Sequence, residues 1–200
     1  MGQTPSLFDD PPASQPTKLP PRPRVTVKQS RKAKPRNNGK KRNTSVSRLL
    51  ENAALSLRIA GFVIYDNFSQ YRAANDRGTL PQRYLVEHYP HKSLYGTVGW
   101  KEGFISHNGT DYVFEAKWQN GSGSVDEKMP YLWEHFLSSP VPNWIVWFDG
   151  AWWREKRGRN AVEWLRERVK AQCPPSRQFI ILAGSKEGQE FFSRQFGGGA

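Results

Sequence analysis

Glu115-Ala116-Lys117-Trp118-Gln119 sets a carboxylate, an ammonium and a carboxamide at every second position of an alternating run. Successive strand side chains point to opposite faces, so Glu115, Lys117 and Gln119 share one. Asn108-Gly109, between two alternating runs, is a strong signal for a two-residue hairpin loop. That loop pairs Ser106 with Asp111 and brings Glu102 across from Glu115, with Cβ atoms roughly 4.5–5.5 Å apart. Two carboxylates this close repel each other, and a divalent cation is the common remedy. Oxygen ligands favour Mg²⁺ or Mn²⁺ over zinc. A cation held there, with water and an ammonium alongside, is equipped for work on a phosphodiester. A solvated hairpin face has the same composition, so spacing alone leaves both readings open.

The other face of the same run, Tyr112, Phe114, Ala116 and Trp118, is apolar and reads as core, with Ile105 joining it from the preceding strand. After Gln119 comes Asn120-Gly121-Ser122-Gly123-Ser124, a loop that feeds a helix at about 125–138. Ser124 or Asp126 suits its cap, and Pro130 is tolerable only in its first turn. A Gly/Ser loop at a helix N-terminus suits an anion, and equally suits a plain connector.

The stretch E-A-K-W-Q followed by G-S-V-D-E-K-M-P-Y resembles the PD-(D/E)XK nuclease superfamily, in particular a small bacterial and phage branch with an (E)xKxQ motif. The resemblance covers roughly 45–150 and is dense over 95–131. It implies a metal held by Glu102 and Glu115, joined by Glu51 of the first helix and the carbonyl of Ala116. It further implies that Lys117 positions or activates water, that Gln119 lies in the active site or on DNA, and that Lys128 touches DNA. The first motif departs from the family pattern, reading Lys101-Glu102-Gly103-Phe104 with no Pro-Asp. Asp111 is an alternative first acid, but the hairpin register puts it near the turn, far from Lys117.

The elements that must position these residues can be read from periodicity. Leu49, Leu50, Ala53, Ala54, Leu57 and Ala60 follow helical spacing from Thr44 or Ser45 to a stop at Gly61. Strand-like runs follow at 62–66, about 83–89, 100–106 and 111–118. Beyond the helix at 125–138 come a strand at 143–148, a helix at about 158–171, a strand at 178–182 apolar enough to be covered on both faces, and a helix from about 186. The order predicts an α/β protein with a restriction-endonuclease-like αβββαβ core, a mixed central sheet flanked by helices.

Composition bounds the rest. Residues 1–43 hold eight of the fifteen prolines and eleven Lys and Arg against two Asp. That is nine of the chain's twelve net positive charges, which predicts a disordered, Pro-rich basic tail ahead of one domain over 44–200. Such an arm suits attraction to phosphate backbones. Thr4-Pro5-Ser6-Leu7-Phe8 faintly resembles the peptide that grips bacterial sliding clamps, without its glutamine, and Pro20-Pro21-Arg22-Pro23 reads as polyproline II. The eight tryptophans should mostly be core. Trp152 and Trp153, followed by Arg154, Lys156, Arg157 and Arg159, form the best aromatic-and-basic patch for gripping DNA.

Other chemistries fall away. Cys173 is the only cysteine, His88 and His91 have no cysteine partners, and no G-x-x-x-x-G-K-[S/T] loop is present. With no long apolar run and no signal peptide, the expectation is a cytoplasmic, bacterial or phage-encoded protein away from membranes. The reading is a Mg²⁺- or Mn²⁺-dependent deoxyribonuclease, with endonucleolytic cutting favoured and a homodimer as one way to cut both strands. The alternative is a non-catalytic DNA-binding or recombination accessory protein that keeps the nuclease fold.

Overall fold

A computed structural model describes residues 44–121 and 126–197. The basic tail, with its clamp-like and polyproline segments, and Ser122–Val125 of the Gly/Ser loop lie outside the described residues. Six strands form one sheet in strict chain order: β1 (Val63–Tyr65), β2 (Arg83–Lys92), β3 (Val98–His107), β4 (Thr110–Trp118), β5 (Asn143–Asp149) and β6 (Gln178–Ala183). β2, β3 and β4 pair antiparallel, whereas β1 joins β2, β5 joins β4 and β6 joins β5 in parallel. Parallel neighbours need crossovers, and helices supply them. The helices are α1 (Thr44–Ile59), α2 (Phe68–Asp76), α3 (Met129–Ser138), α4 (Ala151–Arg154), α5 (Lys156–Gln172) and α6 (Ser185–Phe196). This is the mixed central sheet flanked by helices that the sequence reading expects. Among the described residues no helix is long and apolar enough to cross a membrane.

One sheet face buries Leu85, Ile105, Phe114, Ala116, Ile145 and Trp147 against α1 and α6. The other carries Val113, Trp144, Val146 and Phe148 beneath α3, α4 and α5, while Tyr84, Val86 and Phe104 pack with Phe68 and Tyr71 of α2. Alternation along β4 and β5 assigns each residue to its layer, and β6 is covered on both faces, through Leu182 on one and Phe179 on the other.

The β3–β4 turn is Asn108-Gly109, both with positive φ (52° and 81°), as a twist-matched two-residue turn requires. The predicted register holds from His107↔Thr110 to Gly103↔Phe114. α2 has no counterpart in the sequence reading. It is short, buries only Ala74 fully, and is started by Asn67, whose side chain accepts from the Gln70 N–H at 3.1 Å. The 125–138 helix resolves into a 3₁₀ turn, Asp126–Lys128, and α3 with Pro130 in its first turn. Lys128, not Asp126, is the N-cap residue of α3, with no capping side-chain hydrogen bond among the described residues, and Ser124 lies outside them.

Candidate active site

The β3–β4 ladder stops at Gly103↔Phe114, one step short of Glu102 and Glu115, although both strands continue. β3 stays with β2 as far as Lys92↔Val98, and β4 stays with β5 as far as Trp118↔Asp149. The sheet therefore forks. One prong is a two-stranded arm, β2–β3, and the other is β4 with β5 and β6. A cavity of about 330 Å³ opens at the fork, lined by Lys101, Glu102, Glu115, Ala116, Lys117, Trp118, Gln119 and Trp153 and, from the start of α3, by Lys128, Met129, Tyr131, Leu132 and His135. Glu102 and Glu115 are thus neighbours across an opening rather than a bonded cross-strand pair.

Glu115 is buried and flanked by two ammonium groups. Lys117 Nζ donates to its Oε1, and Lys101 Nζ stands 3.5 Å from its Oε2. Burial alone would raise the Glu115 carboxyl, but Lys117 and Lys101 outweigh it and hold the group below the usual carboxylate range. Glu102, half-buried, goes the other way, raised by burial and by the negative charge of Glu115. The two acids repel across the cavity, as the sequence spacing implied. Gln119 lines the same cavity and donates through Nε2 to the Gly121 carbonyl at 2.6 Å.

Lys101 is the residue that sequence reasoning missed. Strict alternation would send it to the face opposite Glu102, yet both line the cavity. The β2–β3 ladder skips the His88/Glu102 position, and His88 has φ 54°. Beyond that step the parity of β2 shifts, because Tyr84 and Val86 share a cluster with Phe104, and odd-numbered Tyr89 stacks on the same Phe104 at 4.5 Å. Lys101, which pairs with Tyr89, turns inward with it. The one sequence signal was Pro90, a residue that strands tolerate at edges and bulges. β1 covers only Tyr84–Val86 of β2, so Pro90 lies on an open edge.

Lys101 has three supports there. His135 Nε2–H donates to the Lys92 carbonyl at 3.0 Å, which leaves Nδ1 to accept from Lys101 Nζ at 3.3 Å. The ammonium also lies 4.5 Å over the Trp144 ring, and Glu115 supplies the countercharge.

The remaining expected residues fall elsewhere. Glu51 is exposed on α1, which packs on the sheet face of Phe114 and Ala116, and it does not line the cavity. Asp111 pairs with Ser106 near the turn and is also absent from the cavity lining. Trp152 and Trp153, expected to grip nucleic acid, are core residues, only 1 % and 5 % exposed. Four-residue α4 turns both inward, and Gly150 at its start (φ 113°) lets the chain pass so close to Gln119 that a Cβ would strike its backbone. The basic residues around them divide. Lys156 and Arg157 line an open groove of about 570 Å³ that shares Met129 with the cavity. Arg154 and Arg159 line a separate concavity at the ends of β5 and β6, where Arg154 lies 3.5 Å from buried Asp149.

Among the described residues no group of three or more His, Cys, Asp or Glu side chains could hold a metal. The two carboxylates fit a Mg²⁺-type ion nonetheless, because such an ion keeps several waters and takes one or two carboxylates plus substrate phosphate. Among the described residues Glu115 Oε2 is buried and accepts no hydrogen bond, with Lys101 Nζ 3.5 Å away as its countercharge.

No curated protein and no solved structure matches the chain. A family model does, that of a PD-(D/E)XK nuclease superfamily domain, over residues 42–185. That span starts just before α1, ends at the first residue of α6 and contains both prongs of the forked sheet. The chain belongs to the PD-(D/E)XK nuclease superfamily.

Proposed function

We propose that this protein is a divalent-metal-dependent nuclease that hydrolyses DNA phosphodiester bonds internally. Nucleases of the superfamily generally use divalent metals, and membership implies phosphodiester hydrolysis in general. The observation that carries the finer reading is the cavity at the sheet's fork, lined by both Glu102 and Glu115 and by the two lysines, Lys101 and Lys117, that flank Glu115.

Glu102 and Glu115 would hold Mg²⁺ or Mn²⁺, which when bound supplies Lewis-acid polarisation of the phosphate and of a water. Hydrolysis joins the water oxygen to phosphorus and breaks the bond to a sugar oxygen, which leaves with a proton. Lys117, half-exposed beside the carboxylate, stabilises the negative charge that grows on the phosphate oxygens or orients the incoming water. Lys101, deeper, holds Glu115 in place from behind. Gln119 presents a carboxamide to the strand, and Lys128 meets a neighbouring phosphate at the cavity mouth. Lys156 and Arg157 extend the path along the groove beside α3, and the basic tail adds non-specific attraction.

The test is cleavage of supercoiled plasmid, linear duplex, single strand, four-way junction and RNA, each with Mg²⁺, Mn²⁺ or EDTA. Lys117→Ala and Glu102→Gln should lose metal-dependent cutting by roughly a hundredfold or more while the thermal melt stays close to the parent's. Variants that cut as well as the parent would sink the site assignment. Binding without cutting in any metal would instead mark a non-catalytic DNA-binding protein.

A further inference from the structure

The described residues expose seven large apolar side chains, and four of them, Tyr95, Val98, Trp100 and Tyr131, gather on the β2–β3 arm and on the turn of α3 that faces it. Two of these meet at the mouth of the cavity. Tyr95, at the arm's tip, is 82 % exposed, and Tyr131, which lines the cavity, is 38 % exposed. Their rings stack with centroids 6.1 Å apart and planes at 27°. Neither is a loose ornament. The tip is closed by the Ser93 N–H donating to the Thr97 carbonyl at 2.8 Å and the Gly96 N–H donating to Ser93 at 3.0 Å. The arm is pinned to α3 by His135 Nε2–H on the Lys92 carbonyl. Tyr131 in turn packs against His135, whose ring centroid is 5.6 Å away. A path of ring contacts thus leads from the arm's tip to Lys101 beside Glu115.

Apolar faces this exposed serve either another protein or a flat apolar ligand. The surroundings favour the second. Lys92 and Lys128 are exposed beside the pair, Lys117 lies just inside, and a ligand carrying both flat rings and negative charge fits that combination. In intact duplex the faces of a base are taken by its neighbours, so a protein ring can stack only on a base that has left the helix.

We propose that Tyr95 and Tyr131 form a base-stacking subsite that takes an unpaired nucleobase next to the phosphate at Glu102 and Glu115. The substrate class is then DNA with a single-stranded segment at the cut, such as a flap, a frayed end or a free strand, rather than uninterrupted duplex. The inference rests on the nuclease reading for the placement of the phosphate, but its binding half can be tested apart from it.

The experiment measures equilibrium binding of the full chain in EDTA, so that nothing is cut, by anisotropy of a labelled oligothymidylate and of a blunt duplex of equal length. Tyr95→Ala and Tyr131→Ala should weaken the single strand by roughly 5- to 100-fold and leave the duplex nearly unchanged, whereas Tyr95→Phe keeps parental affinity. A 2-aminopurine in the strand should be quenched by the parent and brighten in Tyr95→Ala. Equal losses on both ligands, or none on either, would overturn the subsite. So would a shift in oligomeric state in Tyr95→Ala by light scattering, which would make the arm a contact between copies. If the stacking pattern holds but no metal supports cleavage, the nuclease reading falls and the subsite stands. If cleavage of single strand and duplex is unaffected by Tyr95→Ala, the subsite falls and the nuclease reading stands.

Discussion

His91 lies at the back of the site, with its ring 4.8 Å from His135 and edge-on to Trp144 at 5.5 Å, and its Nε2 is buried with no hydrogen-bond partner among the described residues. Burial first, then the nearby Lys101 and His135 charges, push its pKa from 6.5 down to about 4. The unfolded chain takes up a proton near pH 6.5 and the folded one does not, so stability is full above 6.5 and falls as pH drops toward 4. The loss attributable to this one ring reaches about 3 kcal/mol at the bottom of that window. His91→Phe keeps a flat ring between His135 and Trp144 and has nothing to protonate. Denaturant midpoints measured from pH 7 to 4.5 should fall less steeply in His91→Phe than in the parent. Parallel slopes would remove His91 as a source of acid sensitivity.

Between elements, α6 fits tightly on β5. Gly188 lies flat on the Trp147 indole, with no room between them for a Cβ. The Trp147 Nε1–H donates to the Gly184 carbonyl at 3.1 Å, which fixes the ring under the helix start. In an exposed helix Gly→Ala gains about 1 kcal/mol, but at this position the added methyl must displace a buried tryptophan. Gly188→Ala should therefore lower stability by about 1–3 kcal/mol, read as a drop in melting temperature, and a rise would show that the contact yields. Contacts of this kind also divide what the sequence disclosed from what it hid. Alternation and Asn108-Gly109 disclosed the β3–β4 register, the core face of β4 and the meeting of Glu102 with Glu115. They hid the strand separation at Gly103 and the parity step at His88, since period-two reasoning assumes an unbroken ladder, and Lys101 was lost with them. Trp152 and Trp153 looked like part of a nucleic-acid patch because four basic residues, Arg154, Lys156, Arg157 and Arg159, follow them closely. Only the inward turn of α4 reveals that the rings are core. α2 stayed hidden because its apolar positions are few and its cap is a single asparagine.

For the molecule as a whole, charge is the term that sequence alone supplies. Residues 1–43 carry nine of the twelve net positive charges, so removing them leaves a chain close to neutral around an unchanged site. Affinity for any nucleic acid falls with salt in proportion to the phosphates neutralised. Deleting 1–43 should flatten the plot of log affinity against log salt by several units while cleavage at saturating DNA remains. An unchanged slope would locate the binding charge in the folded domain, on Lys128, Lys156 and Arg157. The order of the sheet has a different consequence, for synthesis on the ribosome. Each strand pairs with the one made just before it, so no strand waits for a distant partner and none must be inserted between two others. The arm and both carboxylates have been made by Trp118, and the later helices and parallel strands close over them as they emerge. Growing edge-on in this way, the sheet at every stage offers an unpaired rim on its newest side, where the next strand of the same chain arrives.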